Sequence, residues 1–234
     1  MARTRSPDRY ASLVQAAIQS FIAANGYRRA QVEDVATAMG VAKGTVYLYA
    51  KSKAALFDIA VRHADDPVPP PIPDVLPVPT PQPGQTVAYL RQRMTTEGQF
   101  VRLQAALVDP SGDVLTELTG IVEELYDTVA ANRVTIRLIN AAARDLPALA
   151  ALWFDGARAG LHRQLTDYLD AQVAAGVLSP PPSTAAAARM LIESTLWFAV
   201  HRAWDPRPDG IPDDLVRATI IGGLVRSLIP TGES

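Results

Sequence analysis

Apolar positions recur with a helical period along most of the chain, and nowhere does a two-residue alternation bounded by hairpin turns set in, so the pattern predicts an all-α protein. Tyr10, Leu13, Val14, Ala17, Ile18, Phe21 and Ile22 share one face of a first helix that opens at Ser6-Pro7-Asp8 and closes at Asn25-Gly26. That start is well encoded: serine caps, proline is preset for the first helical position, and the aspartate complements the positive end of the dipole. Val32, Val35, Ala36 and Met39 stand at i, i+3, i+4 and i+7 on a second helix that must stop at Gly40, a residue tolerant of positive φ. Val41 tucks under the turn. A third, short helix is expected from about Ala42 to Tyr49, buried mainly through Val46 and presenting Lys43, Gly44, Thr45, Tyr47 and Leu48 outward. Ser52 caps a fourth, where Leu56, Ile59, Ala60 and His63 share a face and His63 reads as a surface or interface residue. Two short helices about a tight turn, backed by two longer ones, form a helix-turn-helix head.

From Pro67 to Pro83 nine of seventeen residues are proline, which removes backbone donors and disfavours helix at each preceding residue. A semi-rigid, polyproline-like connector is expected, with a PxxP recognition ligand as the alternative use. After Gly84 the helical period resumes, with helices expected at about 86–108, 113–131, 132–145, 147–175, 184–204 and 213–228, punctuated by Asp109-Pro110-Ser111-Gly112, Leu146-Pro147, Ser179 to Ser183 and Asp205 to Pro212. The expected organisation is a helix-turn-helix head with its connecting helix over 1–63, a proline-rich linker over 64–84 and a helical body over 85–234.

The third helix is the element sized for a major groove. Lys43 supplies a cation near its start, Gly44 lets the backbone approach closely, and Thr45 can bond a base edge or a phosphate. Tyr47 and Tyr49 offer hydroxyls to phosphate oxygens, and Lys53 in the first turn of the fourth helix is within reach of another. At Lys43-Gly44-Thr45-Val46-Tyr47-x-Tyr49, with Ser52-Lys53 and Leu56-Phe57 behind it, the sequence resembles the amino-terminal domain of the tetracycline-repressor-like (TetR) family of transcriptional regulators, over roughly residues 8 to 60. The resemblance implies operator DNA binding by this stretch, dimerisation through the carboxy-terminal helices, and a small-molecule inducer pocket above the head. Three residues depart from the family pattern. Gln31 stands where a capping Ser or Thr is usual, so the reciprocal capping box with Asp34 is expected to be lost at about 1 kcal/mol. Ala50 replaces a usual Phe, and Ala54 a frequent Glu.

Formal net charge is −2, yet residues 1 to 63 carry nine Lys/Arg against four acids, so a basic head (+5) precedes an acidic body (−7). This is the asymmetry expected when only the head meets phosphates. Arg3 and Arg5, in a polar segment ahead of the first helix, either follow the minor groove or stay in solution. There is no cysteine, no signal-peptide pattern and no long apolar run, so a cytoplasmic protein stabilised by packing is expected. His63, His162 and His201 are far apart, and the metalloprotease, hydrolase-elbow, Walker and dinucleotide patterns are absent. No enzyme activity, cofactor or metal is called for.

The body offers Phe100, Tyr126, Asn140, Trp153, Phe154, Glu193, Trp197 and His201 to an apolar cavity with a few polar groups; Phe100, Asn140, Trp153 and Trp197 are the chosen ligand-binding residues. The last two helices carry the dimer signal. Leu191 and Thr195 on 184–204, and Ala218, Gly222 and Val225 on 213–228, are expected to seal a two-fold homodimer, because a terminal helix apolar all round implies burial on both sides. The function expected is a ligand-responsive repressor of a palindromic operator. The alternative is a DNA-binding regulator that senses no small molecule and acts through protein partners.

Overall fold

The computed structural model describes residues 6–229, leaving aside the side chain of Glu97, so Arg3 and Arg5 lie outside the described residues. Among the described residues twelve α-helices follow in order: α1 (Pro7–Ala23), α2 (Val32–Ala38), α3 (Lys43–Val46), α4 (Lys53–Arg62), α5 (Gln85–Glu97), α6 (Val101–Val108), α7 (Val114–Ala131), α8 (Arg133–Ala142), α9 (Pro147–Ala150), α10 (Ala159–Ala174), α11 (Thr184–Ala199) and α12 (Asp213–Arg226). A π-helical run, Ala151–Arg158, joins α9 to α10, and a 3₁₀ turn, His201–Trp204, follows α11. Among the described residues the only extended pairing is an isolated parallel bridge between Ala50 and Val78. The architecture is all-α, and no described helix is long and apolar enough to cross a membrane.

The chain divides into two units, one of Met1–Arg93 with Val134–Trp153, the other of Met94–Arg133 with Phe154–Ser234. In the first, α1 lies against α2 and α4, burying Tyr10, Leu13, Val14 and Phe21 with Leu56, Phe57 and Ile59. Phe21 meets the edge of Phe57 at 5.1 Å between ring centroids. Both predicted serine caps form: Ser6 Oγ accepts from the Arg9 amide at 3.3 Å and Ser52 Oγ from the Ala55 amide at 3.1 Å. The capping box expected to be lost at Gln31 is present, with the Asp34 carboxylate accepting the Gln31 N–H at 2.7 Å. The turn into α3 needs Gly40, whose φ is +64°.

Helix α8 folds with the head, although its sequence position places it in the body. Asp65, just after α4, accepts the Val134 and Thr135 amides at 2.8 and 3.0 Å, satisfying two first-turn donors that a helix start otherwise leaves bare. Beyond its other end, Asp145 accepts the Arg28 amide at 2.7 Å, and Gly26 allows the approach because a Cβ there would stand 2.9 Å from the Asp145 Oδ2. Hydrophobic periodicity reveals a helix but not its neighbour, and here two carboxylates remote in sequence decide it. The proline-rich segment likewise is not free-standing: the bridge through Val78 ties it to the head.

In the second unit α7 is central, burying Leu118, Ile121, Val122 and Leu125 with α6, α11 and α12 around it, while α10 packs on α6 and α11. The helix expected at 86–108 is broken before Val101, where the Glu124 carboxylate accepts the Val101 and Arg102 amides at 3.0 Å each. Glu117 accepts from the buried Tyr168 hydroxyl at 3.0 Å, and burial pushes that phenol's pKa upward. Arg217 on α12 holds Asp127 on α7 through two bonds of 2.7 and 2.8 Å.

Candidate nucleic-acid interface

The reading element is one turn of helix followed by a turn, and its residues alternate in pairs. Lys43 and Gly44 face out, Thr45 and Val46 are buried, Tyr47 and Leu48 face out, and Tyr49 and Ala50 are buried. This follows from a helical repeat of 3.6 residues laid on a buried surface. Tyr47 and Leu48 keep 39% and 36% exposure, a large fraction for an aromatic and an aliphatic side chain side by side. A Cβ built on Gly44 would meet nothing within 4 Å, so the backbone there is open to close approach.

Two residues expected outside are inside. Thr45 is 2% exposed and Tyr49 1%, so neither presents its side chain to DNA as the sequence reading had it. Tyr49 belongs to the core, its ring 6.5 Å from that of Tyr10. The third correction concerns Lys53, whose ammonium donates to the carbonyls of Arg28 and Ala30 at 3.2 and 3.1 Å and lies 4.9 Å from the Tyr27 ring centroid. It holds the turn between α1 and α2, with two of its three donors committed there. Lys43 also has a partner, since its ammonium pairs with Glu33 on α2, but both side chains are exposed. The hydrogen bond from Lys43 holds the Glu33 carboxyl below the usual carboxylate range. Sequence reasoning passed over Lys51, an exposed cation two residues beyond Tyr49 that no family position had marked; its place at the end of the reading turn was the available signal.

The residues chosen for a ligand are not gathered together. Asn140 and Trp153, both in the first unit, meet directly: the indole N–H donates to the Asn140 Oδ1 at 2.6 Å, and Trp153 is 8% exposed. Phe100 is a half-buried N-cap of α6. Trp197 is 45% exposed, lying at 4.8 Å from the neighbouring Phe198 ring. A half-open cleft of about 520 Å³ lies beside α1, walled by Gln15, Gln19, Met39, His63 and the Pro67–Pro70 stretch.

The dimer residues divide in the same way. Leu191, Thr195 and Val225 are buried within the protomer's own core, so they are not available to a partner, whereas Ala218 is exposed and Gly222 half-buried. Apolar residues on both sides of α12 left the inner side undetermined from sequence. The outward side carries Leu215, Ala218 and Gly222, and α11 beside it exposes Met190 and Trp197.

Residues 13–59 match the bacterial regulatory proteins of the tetR family, and residues 116–217 match the C-terminal domain of the AefR-like transcriptional repressors. Among solved structures, the ketosteroid transcriptional regulator KstR2 of Mycobacterium tuberculosis is similar at a TM-score of 0.56 and 16% identity, with 97% of each chain covered. A tetR-family regulatory protein from Rhodococcus RHA1 gives 0.52 and 17%, covering 95% of this chain and 97% of that one. At these identities the likeness establishes the fold alone. Comparison with curated proteins gives no match. With the helix-turn-helix in place and the two matched regions spanning head and body, the chain belongs to the TetR family of DNA-binding transcriptional regulators.

Proposed function

We propose that the protein is a homodimeric repressor that reads a near-palindromic operator through Lys43, Gly44, Tyr47 and Leu48, assisted at the phosphates by Lys51, and releases it when a small apolar or aromatic molecule binds. The observation that carries the reading is the open surface of the reading turn, where an unobstructed glycine backbone is flanked by a cation, a phenol and an exposed leucine. A lysine and a tyrosine hydroxyl suit base edges and phosphate oxygens, and leucine suits a thymine methyl. One such turn covers few base pairs, so two heads must act together, and the outward faces of α11 and α12 are the apolar surface proposed to join two protomers. The match to AefR-like repressors supports repression. For the ligand, support comes from the Asn140–Trp153 pair, whose indole stands in a π-helical run, a departure from regular helix often found at functional sites.

Two measurements test this. Operator duplexes recovered by footprinting should bind wild type and fail with Lys43→Ala, at a cost of about 1 to 3 kcal/mol if Lys43 reads a base. Folded Lys43→Ala and Tyr47→Phe proteins that shift DNA with wild-type affinity defeat the docking. A metabolite screen should find a compound that raises the melting temperature and quenches Trp153, an effect lost in Trp153→Phe. A screen with neither signal favours a regulator that acts through protein partners.

A further inference from the structure

The proline-rich segment makes a contact that a spacer has no use for. Val78 N–H donates to the Tyr49 carbonyl at 2.7 Å, and the Lys51 N–H donates to the Val78 carbonyl at 2.9 Å, so one residue of the segment clasps the backbone on both sides of Ala50. Ala50 is fully buried beneath the clasp. The Tyr49 carbonyl follows the end of α3, where helical carbonyls lose their intrahelical donors, and the clasp supplies the missing one. Two residues on, the Thr80 hydroxyl donates to Ser52 Oγ at 2.8 Å, the same oxygen that caps α4. The segment therefore touches the exit of the reading turn and the start of the next helix at once.

The prolines explain why the clasp has one register. Val78 stands between Pro77 and Pro79, neither of which has an N–H, so Val78 carries the sole donor in that tripeptide. A slip by one residue in either direction would present a proline to the Tyr49 carbonyl. Strands rich in donors can slide; this one cannot. Beyond the segment, the start of α5 is tied to α4 through the Thr86 hydroxyl on Asp58 at 2.7 Å and the Arg62 guanidinium 4.2 Å from the Tyr89 ring centroid.

We infer that the proline-rich segment is a brace for the DNA-reading turn and that Val78 is its positioning residue, setting the angle at which Lys43, Tyr47 and Leu48 meet a groove. The inference rests on the reading that this turn contacts DNA. Val78 touches no nucleic acid itself. Its effect should thus fall on discrimination between sequences rather than on the charge interaction with phosphates, because misplacing side chains at base edges leaves the number of neutralised phosphates unchanged.

The test uses the full chain and an operator duplex selected from random DNA by the wild-type protein, compared with a scrambled duplex. Val78→Pro removes the donor; Val78→Ala keeps it and serves as control. The expected result is an operator affinity lower by roughly tenfold or more for Val78→Pro, equivalent to about 1.4 kcal/mol, with scrambled-duplex affinity and salt slope held and Val78→Ala close to wild type. A folded Val78→Pro protein with the wild-type ratio of the two affinities overturns the brace. Unaltered operator binding in Lys43→Ala and Tyr47→Phe overturns the docking of the turn and the brace with it, whereas lost binding in those two beside a wild-type ratio in Val78→Pro overturns the brace alone. Should Val78→Pro not fold, Ala50→Cys/Val78→Cys decides the matter in a chain with no other cysteine. Paired strands run about 4.8 Å apart, within a disulfide's reach. The oxidised protein should keep full operator affinity and preference; if locking abolishes binding that reduction restores, the segment has to leave the turn for DNA to bind, and the inference fails.

Discussion

The reading turn at α3 and the terminal helix α12 both expose apolar side chains, but they do so on different scaffolds. At α3, four residues of regular helix hang between two turns, and the inner set, Thr45, Val46 and Tyr49, is locked into the core of the first unit. The outer set mixes a cation, a glycine, a phenol and a leucine. At α12, fourteen residues of helix bury Val216, Ile221, Leu224 and Val225 against the second unit, and the outer side carries a strip of Leu215, Ala218 and Gly222 beside exposed Asp214, Thr219 and Arg226, with Leu215 56% exposed. A surface that pairs apolar groups with donors suits a polar polymer with a patterned edge. A surface of leucine, alanine and glycine suits another apolar surface, and in a protein such patches mark association sites. The difference lies in what remains outside after the core has taken its share.

The strongest way to break the comparison is to exchange inside for outside within one turn. Tyr49→Ala removes a buried aromatic and should cost about 3 to 5 kcal/mol of stability, whereas Tyr47→Ala should stay within about 0.5 kcal/mol and lose operator affinity instead. Chemical denaturation of both variants checks it. Equal losses of stability would mean that the two tyrosines are not sorted as described.

Much of this was legible in the sequence and the remainder was not, for identifiable reasons. Helix existence followed from periodicity, and caps at Ser6 and Ser52 from residue type, because both are local. The sidedness of Thr45 and Tyr49 is not legible from residue type, because a threonine or a tyrosine is readily buried in a well-packed turn. Lys53 was misread because its acceptors, the carbonyls of Arg28 and Ala30, belong to a loop over twenty residues away. The same non-locality hid the attachment of α8 to the head and the clasp at Val78, since carboxylates and prolines announce their chemistry but not their partners.

A second test asks whether α8 truly belongs with the head. Asp65→Ala leaves two first-turn amides of α8 without their charged acceptor, and hydrogen bonds to charged groups contribute roughly 1.5 to 3 kcal/mol. Unfolding followed by amide exchange should show α8 and α4 losing protection together. If α8 keeps its protection while α4 frays, the two do not share a cooperative unit.

The outer side of α12 offers a third. Within the protomer a side chain on Gly222 would meet only the flexible Arg226 guanidinium, with Nη1 at 3.0 Å, so Gly222→Leu should leave protomer folding nearly unchanged. Across a close interface the same bulk should cost about 1 to 3 kcal/mol of association. Sedimentation of wild type and Gly222→Leu separates the cases: a shift toward monomer supports the outward face as the seam, and an undiminished dimer places the seam elsewhere.

The smallest expected effect concerns how each helix start is held. Lys43 opens α3 paired with Glu33, and ahead of α12 the Arg202 guanidinium gathers Asp209, Asp213 and the Ile211 carbonyl, with bonds of 2.6 Å to Asp209 and 2.5 Å to Asp213. The hydrogen bond from Arg202, followed by that from the Ile211 amide, draws the Asp209 pKa down from 3.8 to about 2. A carboxyl depressed in the folded state binds protons more readily when unfolded, so its stabilising contribution is complete above 3.8 and is lost as pH falls toward about 2. Glu33 moves in the same direction under Lys43. Both carboxylates are exposed, so screening keeps the effect small. In low salt, wild type should therefore melt slightly above Asp209→Asn at neutral pH, and the gap should close on acidification through that window. A gap that persists unchanged at pH 2 would show that the loop ahead of α12 is held by something other than the Arg202–Asp209 pair.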